Sequence, residues 1–115
     1  MVVDDDGGAA RQVALALELE GVATQTASCG EQALATLTES VDLVLIELML
    51  PHKSGLELAR ELRCRFPNMR IVLTGAYHLS ERQLARAGCN AIAFVPKPCE
   101  AAVVAAFVKQ KVCPL

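Results

Sequence analysis

The chain has 115 residues, a mass of 12.3 kDa and a formal net charge of −2, which fits one domain with one hydrophobic core and leaves no room for a second. Hydrophobic residues make up 53% of the chain and aromatic residues only 3%, so an intrinsically disordered protein is excluded. The small charge, without a Lys/Arg cluster interleaved with aromatic residues, argues against direct binding of nucleic acid. We therefore predict a single domain over residues 1–115.

The sequence contains no apparent targeting segment. No apolar run approaches the roughly 20 residues that span a bilayer, and the amino terminus enters acidic residues directly, unlike a secretory signal. The cysteines are scattered and odd in number, which favours reduced thiols over disulfides or a zinc site; they are Cys29, Cys64, Cys89, Cys99 and Cys113. These features predict a cytoplasmic protein without a membrane partner.

Strand and helix patterns alternate along the chain. The predicted strands cover about 1–3, 22–27, 42–47, 70–74 and 91–95, and the predicted helices about 8–20, 28–39, 54–66, 80–88 and 100–111. Three helices begin with the spacing of a capping box, in which a serine is followed three residues later by Glu or Gln; the pairs are Ser28 with Glu31, Ser54 with Glu57, and Ser80 with Gln83.

The central stretch of the chain reads VDLVLIELMLPHKSG from Val41 to Gly55. Its apolar run at 43–46 is typical of a strand buried on both faces, as in a parallel sheet covered by helices. Glu47 follows at the carboxyl end of this strand, where open α/β sheets usually bind their ligands. Glu47 is therefore either a functional residue or only the first solvated residue after a core strand.

The alternating pattern predicts an α/β fold, with a doubly wound five-stranded parallel sheet and five helices joined by right-handed crossovers. All carboxyl ends of the strands then lie along one edge of the sheet. The polar residues that this fold collects at that edge are Asp4, Asp5, Asp6, Glu47, Thr74 and Lys97.

These edge residues suggest phosphoryl chemistry. Clustered carboxylates repel one another unless a cation joins them, and Mg²⁺ prefers a few carboxylates together with water and phosphate oxygens. A lysine and a threonine hydroxyl beside such an ion would contact the oxygens of a phosphoryl group. The edge therefore indicates a site that handles phosphoryl groups or descends from one that did, with Mg²⁺ as the candidate ion.

Over essentially its whole length the sequence resembles the receiver domain of bacterial two-component response regulators. The matching segments are VVDDD at 2–6, VDLVLIELMLPHKSGLEL at 41–58, IVLTGA at 71–76 and FVPKP at 94–98. Their order and spacing also match the family. The resemblance implies a flavodoxin-like fold and a histidine kinase as a partner.

The same resemblance implies roles for individual residues. The acidic pair that binds magnesium in the family corresponds to Asp4 and Asp5. Thr74 matches the switch hydroxyl, Phe94 the switch aromatic residue, and Lys97 the lysine that contacts the phosphoryl group. Phe94 has no hydroxyl, so a switch that moves this ring makes or loses no hydrogen bond.

The phosphoacceptor position departs from the family pattern because it holds Glu47 instead of aspartate. The extra methylene moves the carboxylate by about 1 Å, and a displacement of that order can cost about a hundredfold in rate. It also carries negative charge toward the place of a phosphoryl group near Thr74 and Lys97. The sequence therefore predicts an atypical receiver that signals by protein contact, with weak or absent phosphorylation and weak or absent Mg²⁺ binding by Asp4, Asp5 and Glu47.

The last predicted helix is apolar nearly all round, although only one side can face the sheet. This pattern predicts a surface for a protein partner or for self-association, formed by Val103, Val104, Phe107 and Val108. The alternative is that its alanines are present only as good helix formers and that little of the face is adhesive.

Two other functions fit parts of the sequence. One is a conventional phosphorelay receiver, phosphorylated at the acidic edge with Mg²⁺. The other is a small phosphatase resembling the haloacid-dehalogenase family, since Asp4, Asp6 and Gly7 spell DxDG. That family's distal acidic pair is missing, and Asp6 has a simpler role at the start of a helix, where acidic residues suit the helix dipole. We therefore predict that the chain is not an enzyme.

Overall fold

The computed structural model describes residues 1–113. Its elements, in chain order, are β1 (Val2–Val3), α1 (Gly7–Leu19), β2 (Thr26–Ala27), α2 (Gly30–Thr36), β3 (Leu43–Glu47), α3 (Gly55–Arg65), β4 (Arg70–Gly75), α4 (Glu81–Arg86), β5 (Ala93–Pro96) and α5 (Ala101–Val112). The strands form one parallel sheet in the order β2-β1-β3-β4-β5. The predicted doubly wound α/β fold, with five strands and five helices in the described part of the chain, is confirmed.

Side chains that alternate along the strands build a hydrophobic cluster on each face of the sheet. Val44 and Ile46 of β3 face one cluster, which packs against α2 and α3. Leu43 and Leu45 face the other cluster, which packs against α1 and α5. Every residue of β3 is buried, as expected for a central strand covered by helices on both faces.

Strand β2 is much shorter than the predicted 22–27. It lies at the edge of the sheet and pairs only with β1, through Val2 with Thr26 and Val3 with Ala27. Because β1 itself has two residues, the ladder between the two strands cannot extend further. The length of β2 is therefore limited by its short partner and by the turn after α1, where the amide of Val22 donates to the carbonyl of Leu17.

The capping predictions have mixed outcomes. Ser80 and Gln83 form a complete capping box, with bonds of 3.1 and 2.9 Å. Ser54 caps α3 by accepting a hydrogen bond from the amide of Glu57. The predicted box of Ser28 with Glu31 is wrong, because Cys29 occupies the N-cap position of α2 and Ser28 bonds to the side chain of Gln32.

Two arginines of α3 hold the loop between α4 and β5. Arg60 donates a hydrogen bond of 2.6 Å to the carbonyl of Ala87, and Arg63 donates one of 2.8 Å to the carbonyl of Cys89. Arg63 also donates to the carbonyl oxygens of Pro67 and Asn90. The donors to Ala87, Cys89 and Asn90 satisfy carbonyl groups that the end of α4 and the loop leave without helical partners.

The predicted partner surface on α5 needs a correction. Val104 and Val108 are only 6% and 3% exposed, because they pack into the cluster between α5 and the sheet. Phe107 is half-buried against the same cluster, with the ammonium of Lys111 5.2 Å from its ring centre. Only Val103, which is 56% exposed, remains available as a large apolar side chain on the outer face.

Candidate functional site

The predicted site residues end at one edge of the sheet. Asp4 follows β1, Glu47 ends β3, Thr74 lies in β4, and Lys97 follows β5. Glu47 is the register partner of Thr74 across the β3–β4 ladder. The parallel topology therefore brings together residues that are up to 93 positions apart in sequence.

Lys97 joins two of these carboxylates. Its Nζ lies 2.7 Å from Oδ2 of Asp4 and 2.9 Å from Oε2 of Glu47. Burial by itself would lower the pKa of Lys97, but the hydrogen bond to Asp4 and the negative charges of Asp4 and Glu47 outweigh that effect and raise the pKa above its usual value. The lysine is therefore a charged ammonium that ties β5 to both β1 and β3.

Both oxygens of the buried Asp4 side chain have partners. Oδ2 accepts the hydrogen bond from Lys97, and Oδ1 accepts one of 3.0 Å from the amide of Asp6. Asp4 is only 6% exposed, so these contacts compensate for most of its lost hydration. The carboxylate is thus fully used in holding the first loop and Lys97.

Glu47 is equally buried but less well bonded. It is 6% exposed, and Oε1 accepts only a long contact of 3.4 Å from the amide of Met49. Oε2 is buried without a well-aligned hydrogen bond, although the Lys97 ammonium is 2.9 Å away. Charge attraction to Lys97 therefore holds this oxygen. Glu47 is a buried side chain at the end of a core strand and not a solvated residue.

The two predicted switch residues lie next to this ion cluster. The Thr74 hydroxyl donates a hydrogen bond of 2.6 Å to the carbonyl of Val95 and is buried. Phe94 is half-buried and contacts His78 edge to face, with ring centres 5.5 Å apart. In this arrangement the hydroxyl is committed to the neighbouring strand β5 and not to the acidic edge.

The predicted magnesium residues are only partly gathered. Asp4 and Glu47 share Lys97, whereas Asp5 has an exposed side chain. Over residues 1–113 there is no group of three or more His, Cys, Asp or Glu side chains arranged to hold a metal ion. In this structure the Lys97 ammonium supplies the positive charge between Asp4 and Glu47.

Two residues near the site have structural roles. Asp6 is the N-cap of α1, where its Oδ1 accepts a hydrogen bond of 3.1 Å from the amide of Ala9. The structure therefore shows Asp6 in its predicted role at the start of a helix. Gly55 was not singled out by sequence reasoning, yet a Cβ there would overlap the carbonyl oxygen of Glu47 and lie 2.8 Å from the Cα of Leu48.

Comparisons with known proteins identify the family of this chain. A sequence model of the response regulator receiver domain matches residues 1–109. The transcriptional regulatory protein CpxR of Klebsiella pneumoniae is 37% identical over 98 residues, which are 85% of this chain and 42% of that protein. The chain therefore spans less than half of the length of this curated relative.

Solved structures show the same fold. A CheY-like receiver domain protein from Methanospirillum hungatei has a TM-score of 0.84 at 26% identity, covering 96% of this chain and 90% of its own. The receiver domain of NtrX from Brucella abortus has a TM-score of 0.83 at 27% identity, covering 98% of this chain and 96% of its own.

The sheet, its two helical layers and the acidic edge define a flavodoxin-like protein of the doubly wound class. The chain belongs to the response regulator receiver domain family, the signalling modules of two-component systems. Within residues 1–113, no helix has the length and apolar character needed to cross a membrane.

Proposed function

We propose that this receiver domain signals through protein contacts without forming an acyl phosphate at Glu47. The observation that carries the proposal is the closed ion pair, in which Oε2 of a 94% buried Glu47 lies 2.9 Å from the Lys97 ammonium. A phosphoryl donor would have to reach this oxygen and draw Lys97 away from it. The extra methylene of glutamate further displaces the acceptor from the position that an aspartate would take.

Weak Mg²⁺ binding belongs to the same proposal. Asp4, Asp5 and Glu47 remain the predicted ligands of Mg²⁺. An ion bound by them would neutralise the charge of phosphoryl oxygens. In this chain, a divalent ion must compete with Lys97 for both Asp4 and Glu47. We therefore propose that the native chain binds Mg²⁺ poorly. Lys97 balances the charges of Asp4 and Glu47 when no Mg²⁺ is bound.

The decisive experiment is intact-protein mass spectrometry after incubation with Mg²⁺ and acetyl phosphate. We expect no phosphoryl adduct on folded protein, because the acceptor oxygen is buried and paired. The Glu47→Asp variant is the matched comparison, since it shortens the side chain and keeps its charge. We expect it to gain a magnesium-dependent adduct, which peptide mapping then assigns to position 47.

A stable, magnesium-dependent adduct at Glu47 in the native sequence would overturn the proposal. It would support the second candidate, a conventional phosphorelay receiver served by a histidine kinase. That candidate is favoured by the presence of Asp4, Thr74 and Lys97 at the same edge. If Glu47→Asp gains neither an adduct nor Mg²⁺ affinity, one methylene is not the reason that the site is inactive.

The proposed contact surface is the outer face of α5, centred on Val103 with the exposed Ala102 and Ala106. A small apolar patch of this kind suits a second copy of the chain or another protein better than nucleic acid, since the formal net charge is −2.

We propose that this unit, predicted as one domain over residues 1–115, acts in the cytoplasm and is not itself an enzyme. Residues 114 and 115 of that domain lie outside the described part of the chain.

A further inference from the structure

A cavity of about 420 Å³ lies beside the acidic edge, between α1 and α5. Its floor is formed by Val2, Leu45 and Val104, which reach it from the sheet and from α5. Its walls include Val13 of α1 and Ala101 of α5. Cavities of roughly 300–1,000 Å³ with apolar walls and a few polar groups are typical of small-molecule sites.

The charges lining this cavity are unbalanced. Asp4, Asp6 and Lys97 are its titratable acidic and basic residues. The Lys97 ammonium is already shared between Asp4 and Glu47, at 2.7 and 2.9 Å. Asp6 is exposed and caps α1 through a neutral amide, and within residues 1–113 it forms no salt bridge. One carboxylate at the mouth therefore has no side-chain cation paired with it in the described part of the chain, although it accepts the amide of Ala9 at the start of α1.

We propose that this cavity binds a small amphipathic cation, namely an organic amine with an apolar body. The ammonium pairs with Asp6 and donates to the side-chain amide of Gln12, which also lines the mouth. The apolar body lies against Val13, Ala101 and Val104. Phosphate and carboxylate ligands are excluded by the same charges, because the lining offers them no unpaired cation.

This binding site adds a ligand to the proposed function but does not rest on it. The cavity shares Asp4, Thr74 and Lys97 with the acidic edge, but Asp6, Gln12 and the facing walls of α1 and α5 take no part in the acceptor position at Glu47. A ligand held there would touch both α1 and α5, the helix that carries Val103. Occupancy of the cavity would thus be communicated to the proposed contact surface through α5 itself.

The test uses two probes with the same apolar body and opposite charge, 2-phenylethylamine and 3-phenylpropanoate. Binding is followed by amide chemical shifts of the ¹⁵N-labelled chain at an ionic strength of about 0.15 M, where the Debye length is about 8 Å. We expect the amine to bind with a Kd on the order of 1 mM, as suits a molecule of this size. The acid should bind at least about tenfold more weakly, because it meets the Asp6 charge.

Two matched variants separate the Asp6 charge from the general acidity of the edge. Asp6→Asn removes the charge but retains the helix cap, since asparagine caps as well as aspartate. We expect it to weaken amine binding by about fivefold, whereas Asp5→Asn, which alters the neighbouring exposed carboxylate outside the cavity lining, should change it by less than about twofold. Ala101→Phe should fill the cavity and abolish binding of both probes.

Equal affinity for the two probes would overturn the proposal, as would equal effects of Asp5→Asn and Asp6→Asn. Shifts confined to amides outside α1, α5 and the adjacent strand ends would also contradict it. If Ala101→Phe does not fold, the comparison of the two asparagine variants still decides, because neither substitution alters a buried apolar contact.

Discussion

Lys97 is the residue on which the acidic edge depends, because its ammonium lies between two carboxylates that are each only 6% exposed. Without it, Asp4 and Glu47 would face each other across the ends of β1 and β3 with no charge to balance them. Removing one partner of a buried ion pair costs more than the pair contributes, since it leaves the other charge buried and unpaired.

We expect Lys97→Met to lower the free energy of unfolding by about 1–2 kcal/mol, less than for a fully buried pair because the lysine is one-third exposed. Combining it with Glu47→Gln should cost less than the sum of the single variants, since no unpaired charge then remains at position 47. Urea denaturation measures all three. Strict additivity of the two substitutions would show that the residues do not interact.

Lys109→Met is the matched control for this cycle. Its ammonium pairs with Glu20 at 3.2 Å, but the two side chains are 42% and 44% exposed. Exposed pairs contribute little, so the free energy of unfolding should change by less than about 0.5 kcal/mol.

Added Mg²⁺ should raise the stability of Lys97→Met more than that of the native chain, because the variant exposes two unbalanced carboxylates to a divalent ion.

The pH dependence follows from the raised pKa of Lys97. A base whose pKa is higher in the folded state contributes its full stabilisation below the ordinary value of 10.5 and loses it as the pH rises through the raised value. The difference in unfolding free energy between the native chain and Lys97→Met should therefore be flat from about pH 7 to 9 and shrink only above about 10.5. A difference that already falls near neutral pH would contradict this.

Among the elements, the junction of β3 and α3 fixes the position of Glu47. The amide of Gly55 donates a hydrogen bond of 2.8 Å to the carbonyl of Leu48. The start of α3 thus lies directly against the end of β3, in a space that admits no Cβ. The backbone of Glu47 is therefore held by a close contact as well as by its strand ladder.

We expect Gly55→Ala to destabilise the fold by about 1–3 kcal/mol, because the added methyl group overlaps backbone atoms that cannot move independently. The backbone amide of Glu47 should also shift in NMR spectra. Gly7→Ala is the control, since a Cβ there meets nothing within 4 Å, and it should be neutral or stabilising by up to about 1 kcal/mol. Similar stability of the two variants would contradict the proposed contact.

The local sequence predicted the type of each element better than its boundaries or its buried side. The apolar run of β3 and the Ser80–Gln83 box depend on neighbouring residues and are confirmed. The length of β2 depends on the two residues of β1, and the buried side of α5 depends on its rotation against the sheet. Neither property is encoded within the element itself, which is why Val104 and Val108 were placed on the wrong face.

For the molecule as a whole, the doubly wound five-stranded parallel sheet was predicted from the sequence, whereas the ion pairing was not. The prediction that Lys97 lies near the carboxylates came from the parallel sheet, but its shared contact with Asp4 and Glu47 depends on side-chain reach. Likewise, the position of Gly55 against β3 and the hold of Arg63 on a distant loop arise only when the helices dock.

Self-association through α5 is the prediction that belongs to the intact molecule. We expect sedimentation equilibrium to detect a weak, concentration-dependent dimer that Val103→Glu weakens by at least about tenfold, because it places a charge in the apolar patch. Leu19→Glu is the matched control, since Leu19 is an even more exposed apolar residue, on α1. If Leu19→Glu disrupts the dimer instead, the contact surface lies on α1 and the assignment to α5 is wrong.

The hydrogen bond from Arg63 to the carbonyl of Cys89 has a consequence that can be followed by the alkylation rate of the Cys89 thiol. The Cys89 thiol is fully buried, while Cys64, Cys99 and Cys113 are exposed and Cys29 is half-buried. An alkylating reagent should therefore modify the exposed thiols promptly and Cys89 only when the loop between α4 and β5 opens. The slow phase of alkylation then measures the free energy of that opening, in a chain without any added label.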